Sequence, residues 1–412
     1  MAVDNILIIG GGLTGGTAAR TLRTEGHEVR ITVVCSEGRE PYQRPPLSKE
    51  FLLGKAEVSA VDVAPVAWYG EQDVRLVTGE AAASFDPAAH EVTLAGGDTL
   101  SYDRLLLATG AQPRRIPLPG AELDGVMTFR TLGDSLRLKE FLKDGGKRVV
   151  MVGSGWIGME LAAAAATYGN DVTLLGLEDI PLAAAIGPEI GAFFRRVHES
   201  HGVSFRLPAS AARLEGQDGR VTTVVTDSGE SIPADLVILA VGVVPDTRLA
   251  EAAGLELRNG ILVDAGLHTS APDVFAAGDV ANALHPFTGE HHRSEHWSNA
   301  LNGGKVAARS MLGQDAALDV LPYFYTDQFE LSLEYSGFGS LAAGTEPVIR
   351  GSVSEEGFLA FWLKDGAVVA GMNVNVHRVQ KPIKALINGR VPVDPARLAD
   401  PEVPLEELLP AG

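Results

Sequence analysis

Residues 6–9 form an unbroken apolar run, ILII, closed by the glycine cluster Gly10-Gly11-Gly12. Residues 17–23, TAARTLR, follow with helical composition, and residues 29–34, VRITVV, return to β-formers. A buried strand, a glycine turn, a helix and a second strand make a βαβ unit. The pattern recurs at 148–158, RVVMVGSGWIG, which leads into the helix-forming MELAAAAATYG and the strand VTLL. The glycine runs start at Gly10 and Gly153, an internal repeat with an offset of 143 residues. A repeat of this kind predicts two dinucleotide-binding folds in one chain.

The remaining apolar runs fit the same scheme. Residues 105–110, LLLATG, and 236–242, LVILAVG, each predict a further buried strand in its own sheet. From about Tyr323 the period changes to short alternating stretches such as ELSLEYSGF, which predict antiparallel strands, followed by a short helix over KPIKALING. The tail from Val391 is rich in proline and acidic residues and is expected to pack loosely. The resulting fold class is α/β: two Rossmann-like domains plus a C-terminal α+β domain. The boundaries are 1–114 with 245–322 for the first, 115–244 for the second and 323–412 for the third.

Composition narrows the function. A chain of 412 residues with 45% hydrophobic content can build large cores. Its formal charge of −19 disfavours nucleic acid and anionic membranes. The single cysteine, Cys35, excludes an internal disulfide, a dithiol redox pair and a thiolate metal cluster, and it reads as a small buried side chain. His285, His291, His292 and His296 crowd one stretch without metal-ligand spacing, so no metal site is expected. No leader and no membrane-length apolar run is seen, which reads as cytoplasmic.

The chemistry follows from the glycine turns. In Gly10-x-Gly12-x-x-Gly15 the first glycine permits the tight turn, the second lets a pyrophosphate approach the backbone and the third allows close helix–strand packing. The phosphate then meets the helix N-terminus beside Leu13 and Thr14. Glu37, 22 residues after Gly15 and next to Ser36, is placed to hold a ribose. Gly153-x-Gly155-x-x-Gly158, with Trp156 and Ile157 in its turn, repeats the fingerprint. There the strand ends at Gly176, where an NAD site usually shows an acid. Glu178 follows shortly and no arginine stands beside it, so NADH is favoured over NADPH. Asp279, after a strand and a glycine turn, can accept hydrogen bonds from a polyol such as ribityl, or cap a helix.

The order of GxGxxG, YQRPPLSK (42–49), LLLATG, GxGxxGxE, TSAPDVFAAGD (269–279), EHWSNA (295–300) and PYFYTDQFELSLEYSG (322–337) resembles the FAD-dependent ferredoxin reductases of oxygenase systems. The resemblance covers essentially the whole chain and implies a glutathione-reductase-like architecture. It implies that Lys49 lies near the flavin and pairs with Glu160 across the nicotinamide site. Arg44 and Arg130 support FAD, Ala82 offers backbone to the adenine, Trp297 lies against the flavin, and Thr109, Gly110 and Gly242 join the nucleotide contacts. Family members often carry tryptophan where Tyr325 stands.

The activity implied is hydride transfer from NADH to FAD, then single electrons to a [2Fe-2S] ferredoxin that serves a P450 or a Rieske oxygenase. The candidate docking cations are Arg293, Lys305, Arg309, Arg378, Lys381 and Lys384. A monomer or weak dimer is expected. The competing readings are an NADH oxidase and a slow redox-sensing flavoprotein resembling apoptosis-inducing factor.

Overall fold

The computed structural model describes residues 3–26 and 28–409. Its chain divides into two compact units. One comprises Met1–Pro45, Glu57–Gln112 and Val243–Pro322; the other comprises Pro46–Ala56, Pro113–Gly242 and Tyr323–Gly412.

The first unit is organised by a five-stranded sheet in the order Val274–Ala276, Arg104–Leu107, Asn5–Ile9, Arg30–Cys35, Val74–Thr78. All four pairings are parallel. The apolar runs of the central strands are buried, with Ile6, Ile8, Leu105 and Leu106 fully inaccessible, as a sheet covered on both faces requires. The helix Leu13–Thr24 leaves the glycine turn and packs on the helix Trp297–Met311. Gly304 makes that approach possible, because a Cβ there would lie 2.6 Å from the carbonyl oxygen of Thr14.

The second unit repeats the plan. Its parallel sheet runs Ser204–Arg206, Asp171–Leu175, Arg148–Val152, Leu236–Leu239, Val126–Met127. It also holds a five-stranded antiparallel sheet, ordered Tyr323–Gln328, Leu331–Gly337, Ala367–Val374, Phe358–Lys364, Val348–Arg350. The helix Gln380–Gly389 buries Ile383, Leu386 and Ile387, a stripe at helical spacing. One continuous core joins the two sheets: Met159 and Phe194 from the parallel fold lie in the same cluster as Leu333, Phe358 and Trp362. Residues 323–409 are therefore distinct in topology but not in packing. Pro46–Ala56 lies within the stretch that the sequence assigns to the first fold, yet Leu52 belongs to this second core. Hydrogen bonds from Ser135 to Leu47 O (2.7 Å) and from Tyr168 to Leu52 O (2.7 Å) hold the segment there.

The expectation of a loosely packed tail is wrong. Asp394 caps the short helix Pro395–Ala399, and Leu398, Leu405 and Leu408 are buried. The guanidinium of Arg350, itself 8% exposed, donates to the carbonyls of Leu398, Pro401 and Val403. The three leucines are too widely spaced among acidic and proline residues to show a period, so composition misled. Arg350→Met keeps the apolar stem and removes the donors. It is expected to lower the unfolding free energy by about 2–3 kcal/mol, measured by urea denaturation, with proteolysis then starting beyond residue 391. A loss under about 0.5 kcal/mol would show that the leucines alone hold the tail.

Candidate functional site

Both glycine fingerprints adopt the conformation that their spacing demands. Gly10 and Gly153 have φ of +134° and +123°, and a Cβ on either would fall 2.1 or 2.2 Å from the carbonyl oxygen of Ala108 or Ala240. The third glycines pack helix on strand: a Cβ on Gly15 or Gly158 would lie 2.1 or 2.0 Å from the carbonyl oxygen of Gly10 or Gly153. The middle glycines differ in kind. Gly155 faces open space, and a Cβ on Gly12 would approach only Arg44 Nη1, at 3.0 Å. Gly12 and Gly155 also sit at helix N-caps without a side-chain cap. Unfilled space before uncapped N–H groups is a cradle for a diphosphate, so these residues fit the dinucleotides that the sequence implies.

In the first unit Glu37 is held in place. Tyr42 Oη donates to its two carboxylate oxygens at 2.9 and 2.8 Å, and Arg44 Nη2 stands 3.5 Å away. Ser36 precedes it at the strand end. Thr109 donates to the carbonyl of Asp246 at 2.7 Å and is followed by Gly110 at φ +72°. Asp279 lies in the turn Gly278–Val280, and a Cβ on Gly278 would meet Thr14 Oγ1 at 2.4 Å, so this turn abuts the fingerprint helix. Ala82 opens the strand Ala82–Asp86. Trp297 is half-buried, and its indole N–H donates to Gln43 Oε1 at 3.0 Å, a tethered ring rather than a core filler. His296 just before it is held at about 4 by desolvation, only partly offset by Asp279, so it is neutral at pH 7. Burial, with Glu37 and Glu40 nearby, pushes the Cys35 thiol up to about 12. Lys49 and Arg130, expected to join this group, belong to the second unit.

There Lys49 and Glu160 form a buried pair, 6% and 4% exposed, with Lys49 Nζ 2.9 Å from both carboxylate oxygens. Ser48 Oγ donates to Glu160 Oε2 at 2.5 Å, and Thr326 Oγ1 donates to Oε1 at 2.6 Å. Gln328 Nε2 in turn donates to Thr326 Oγ1 at 3.0 Å. Every bond to Glu160 is one it accepts, which suits an anion and repays its burial. The Tyr325 ring lies 5.4 Å from Lys49 Nζ. Burial and the carboxylates of Glu50, Asp327 and Glu160 push its phenol up to about 12, so it stays neutral. Ser48, Thr326 and Gln328 were not singled out in the sequence. All three stand inside segments already noted, 42–49 and 322–337, but no local signal marks the role of Thr326, whose aim is set by the register of a sheet.

A cavity of about 600 Å³ opens at the second fingerprint, within the usual size of a ligand pocket. Gly153, Gly155, Trp156, Glu178 and Gly242 line it. Ile157 and Gly158 are in the same turn but off the wall, and Glu160 faces Lys49 instead. Ser154, Leu177 and Arg114 also line it, and sequence reasoning missed them. Arg114, distant in sequence, has no ion-pair partner among the described residues.

Of the candidate docking cations, Arg293 pairs with Glu295 at 2.6 Å and Arg309 with Glu25 at 2.6 Å. Lys384 lies 4.6 Å over the Tyr323 ring, and Lys305, Arg378 and Lys381 have no ion pair among the described residues. No group of His, Cys, Asp and Glu among the described residues could hold a metal, and no helix there is long and apolar enough to cross a membrane.

Thr326→Val keeps the shape and deletes the hydroxyl. It is expected to cost about 1–3 kcal/mol, since Glu160 loses a donor and Gln328 its acceptor; Thr326→Ser should stay within about 0.5 kcal/mol. Equal losses for the two variants in denaturant titrations would mean that the methyl, not the hydroxyl, matters.

Known proteins match the chain along its length. The pyridine nucleotide-disulphide oxidoreductase family matches residues 4–304, and the Reductase C-terminal family matches residues 323–409. A 5,5'-dehydrodivanillate O-demethylase ferredoxin reductase subunit of Sphingobium is 36% identical over 98% of this chain and 98% of its own. The biphenyl dioxygenase system ferredoxin–NAD(+) reductase component of Paraburkholderia xenovorans is 37% identical over 99% of each chain. The structure of putidaredoxin reductase in its covalent complex with putidaredoxin superposes with a TM-score of 0.93 at 33% identity, covering 99% of this chain and 98% of that one. With two dinucleotide cradles, a buried lysine–glutamate pair and full-length relatives, the chain belongs to the pyridine nucleotide-disulphide oxidoreductase family, among the members that end in a Reductase C-terminal domain.

Proposed function

We propose that this protein is an NADH-dependent FAD reductase that passes electrons to a [2Fe-2S] ferredoxin serving a P450 or Rieske oxygenase. The observation that carries the reading is the pairing of two glycine cradles with a buried Lys49–Glu160 pair, whose carboxylate accepts from three side chains, in a chain that matches ferredoxin reductases over 98–99% of its length. FAD, when bound, accepts a hydride as a pair of electrons and gives them up singly. The fold of 1–114 and 245–322, less the segment 46–56, is assigned to FAD, 115–244 to the coenzyme, and 323–412 to the third domain.

The chain's own residues position and tune. Gly10, Gly12 and Gly15 admit the FAD diphosphate, with Glu37 for its adenosine ribose and Asp279 for the ribityl chain. Arg44 adds positive charge, and Trp297 adds an aromatic face. Gly153, Gly155 and Gly158 do the same for NADH, and Arg114 supplies a cation for the coenzyme phosphates. Lys49 keeps a positive charge at the hydride site, held in place by Glu160. Glu178 on the wall of the cavity opposes the extra phosphate of NADPH by like charge.

The partner assignment rests on charge. Ferredoxins are acidic, and this chain, at −19, needs a local cationic face to receive one. With Arg293 and Arg309 engaged internally, Arg378, Lys381 and Lys384 around the helix Gln380–Gly389 are the stronger candidates.

Two measurements test the reading. Anaerobic stopped-flow should show the flavin bleached by NADH, with at least about tenfold poorer use of NADPH. Preference for NADPH would overturn the coenzyme assignment, and slow bleaching by both would overturn the reductase. Separately, Lys381→Glu with Lys384→Glu should raise the KM for ferredoxin about tenfold or more at low salt, while reduction of a small dye is unchanged. Equal loss in both assays removes this helix from the docking face.

A further inference from the structure

We infer that Ser154 and Gly176 form a reciprocal steric lock, which excludes an acid from the end of the strand and makes Glu178 the residue that grips the coenzyme's adenosine ribose. The inference rests on the reading that the cavity takes NADH. It explains why the acid expected at 176 is missing.

The backbone is not the reason for a glycine at 176, since its φ is not in the left-handed region. A side chain is excluded by its neighbours. A Cβ at 176 would lie 2.2 Å from Ser154 Oγ, 2.6 Å from Ser154 Cβ and 2.8 Å from Leu207 Cδ2. The hydroxyl and the leucine methyl could swing away. Ser154 Cβ cannot, because it is fixed by the turn between Gly153 and Gly155 that forms the diphosphate cradle. The two positions meet because Val152 and Leu175 are register partners in adjacent parallel strands, so residues beyond them emerge side by side.

The first fingerprint shows the same lock with the roles exchanged. There Ile9 pairs with Val34, so Gly11 corresponds to Ser154, Cys35 to Gly176 and Glu37 to Glu178. A Cβ on Gly11 would strike Cys35 Sγ and Cβ at 2.8 and 2.9 Å. One side chain fits between turn and strand end: Cys35 in the first cradle, Ser154 in the second. In both, the carboxylate stands two residues past this position, Glu37 after Cys35 and Glu178 after Gly176. Glu37 is the residue placed for a ribose in the first cradle, and Glu178 holds the equivalent place on the cavity wall. Leu177 beside it is 79% exposed and lines the same cavity, an apolar surface suited to an adenine ring. A carboxylate at 178 also disfavours a 2′-phosphate without needing one at 176.

The test is a double-mutant cycle with two readouts on the FAD-loaded protein. Thermal unfolding reads the lock without reference to activity. Gly176→Ala should lower Tm by about 2–8 °C, and Ser154→Gly combined with Gly176→Ala should recover most of it; additive losses overturn the lock. Calorimetric titration with NAD+ and NADP+ reads the assignment. Glu178→Gln should weaken NAD+ binding about tenfold and narrow the gap to NADP+. Gly176→Glu with Ser154→Gly should rescue the Glu178→Gln variant, whereas Gly176→Glu alone should not. Unchanged NAD+ affinity in Glu178→Gln, or rescue by Gly176→Glu alone, overturns the inference. Should the unmodified protein bind neither nucleotide, the coenzyme reading itself falls, while the Tm cycle still decides the lock.

Discussion

The Glu160 carboxylate is buried and accepts hydrogen bonds from three side chains on two separate stretches of chain. A buried charge is tolerable only when its partners are complete, and removing one leaves the others exposed to the full desolvation penalty. That requirement fixes far more than one side chain. It ties the segment carrying Ser48 and Lys49 to the helix Trp156–Thr167 and to the first strand of the antiparallel sheet. The continuous core shared by Met159, Leu333 and Phe358 puts the weight of apolar packing behind the same geometry. Polar satisfaction chooses the arrangement, and hydrophobic burial holds it.

The two glycine cradles show how much of the nucleotide chemistry is a packing problem. At each turn one glycine is forced by a positive φ, one by the closeness of a helix to a strand, and one leaves a gap that a ligand can enter. These constraints act over a few residues, so they are written in the local sequence. The parallel strands were readable for a similar reason, because sheets covered on both faces need unbroken apolar runs such as 6–9 and 105–107.

What could not be read depends on distance along the chain. Thr326 reaches Glu160 across 166 positions, and only sheet register decides which of its two faces the hydroxyl takes. Arg114 meets the second cradle because its backbone N–H donates to the carbonyl of Gly242, a long-range contact that no period reveals. The missing acid at 176 was visible, but its cause lay in a serine Cβ from the neighbouring turn. The tail was misjudged because acidic and proline residues hid three spaced leucines, and because the arginine that donates to the carbonyls of Leu398, Pro401 and Val403 stands far upstream, at position 350.

The chain passes from one unit to the other at 45/46, 56/57, 112/113, 242/243 and 322/323. Neither unit is a contiguous stretch that could be excised and expressed alone. On the ribosome, the first sheet lacks one of its two edge strands until Val274–Ala276 emerges, although its centre, Asn5–Ile9, is among the earliest residues made and its other edge, Val74–Thr78, follows soon after. The nascent protein must carry exposed apolar strands through most of its synthesis, a state open to aggregation. Maturation is thus a late, cooperative event. Truncation before the last strand of the first sheet is expected to cost the whole molecule rather than one domain.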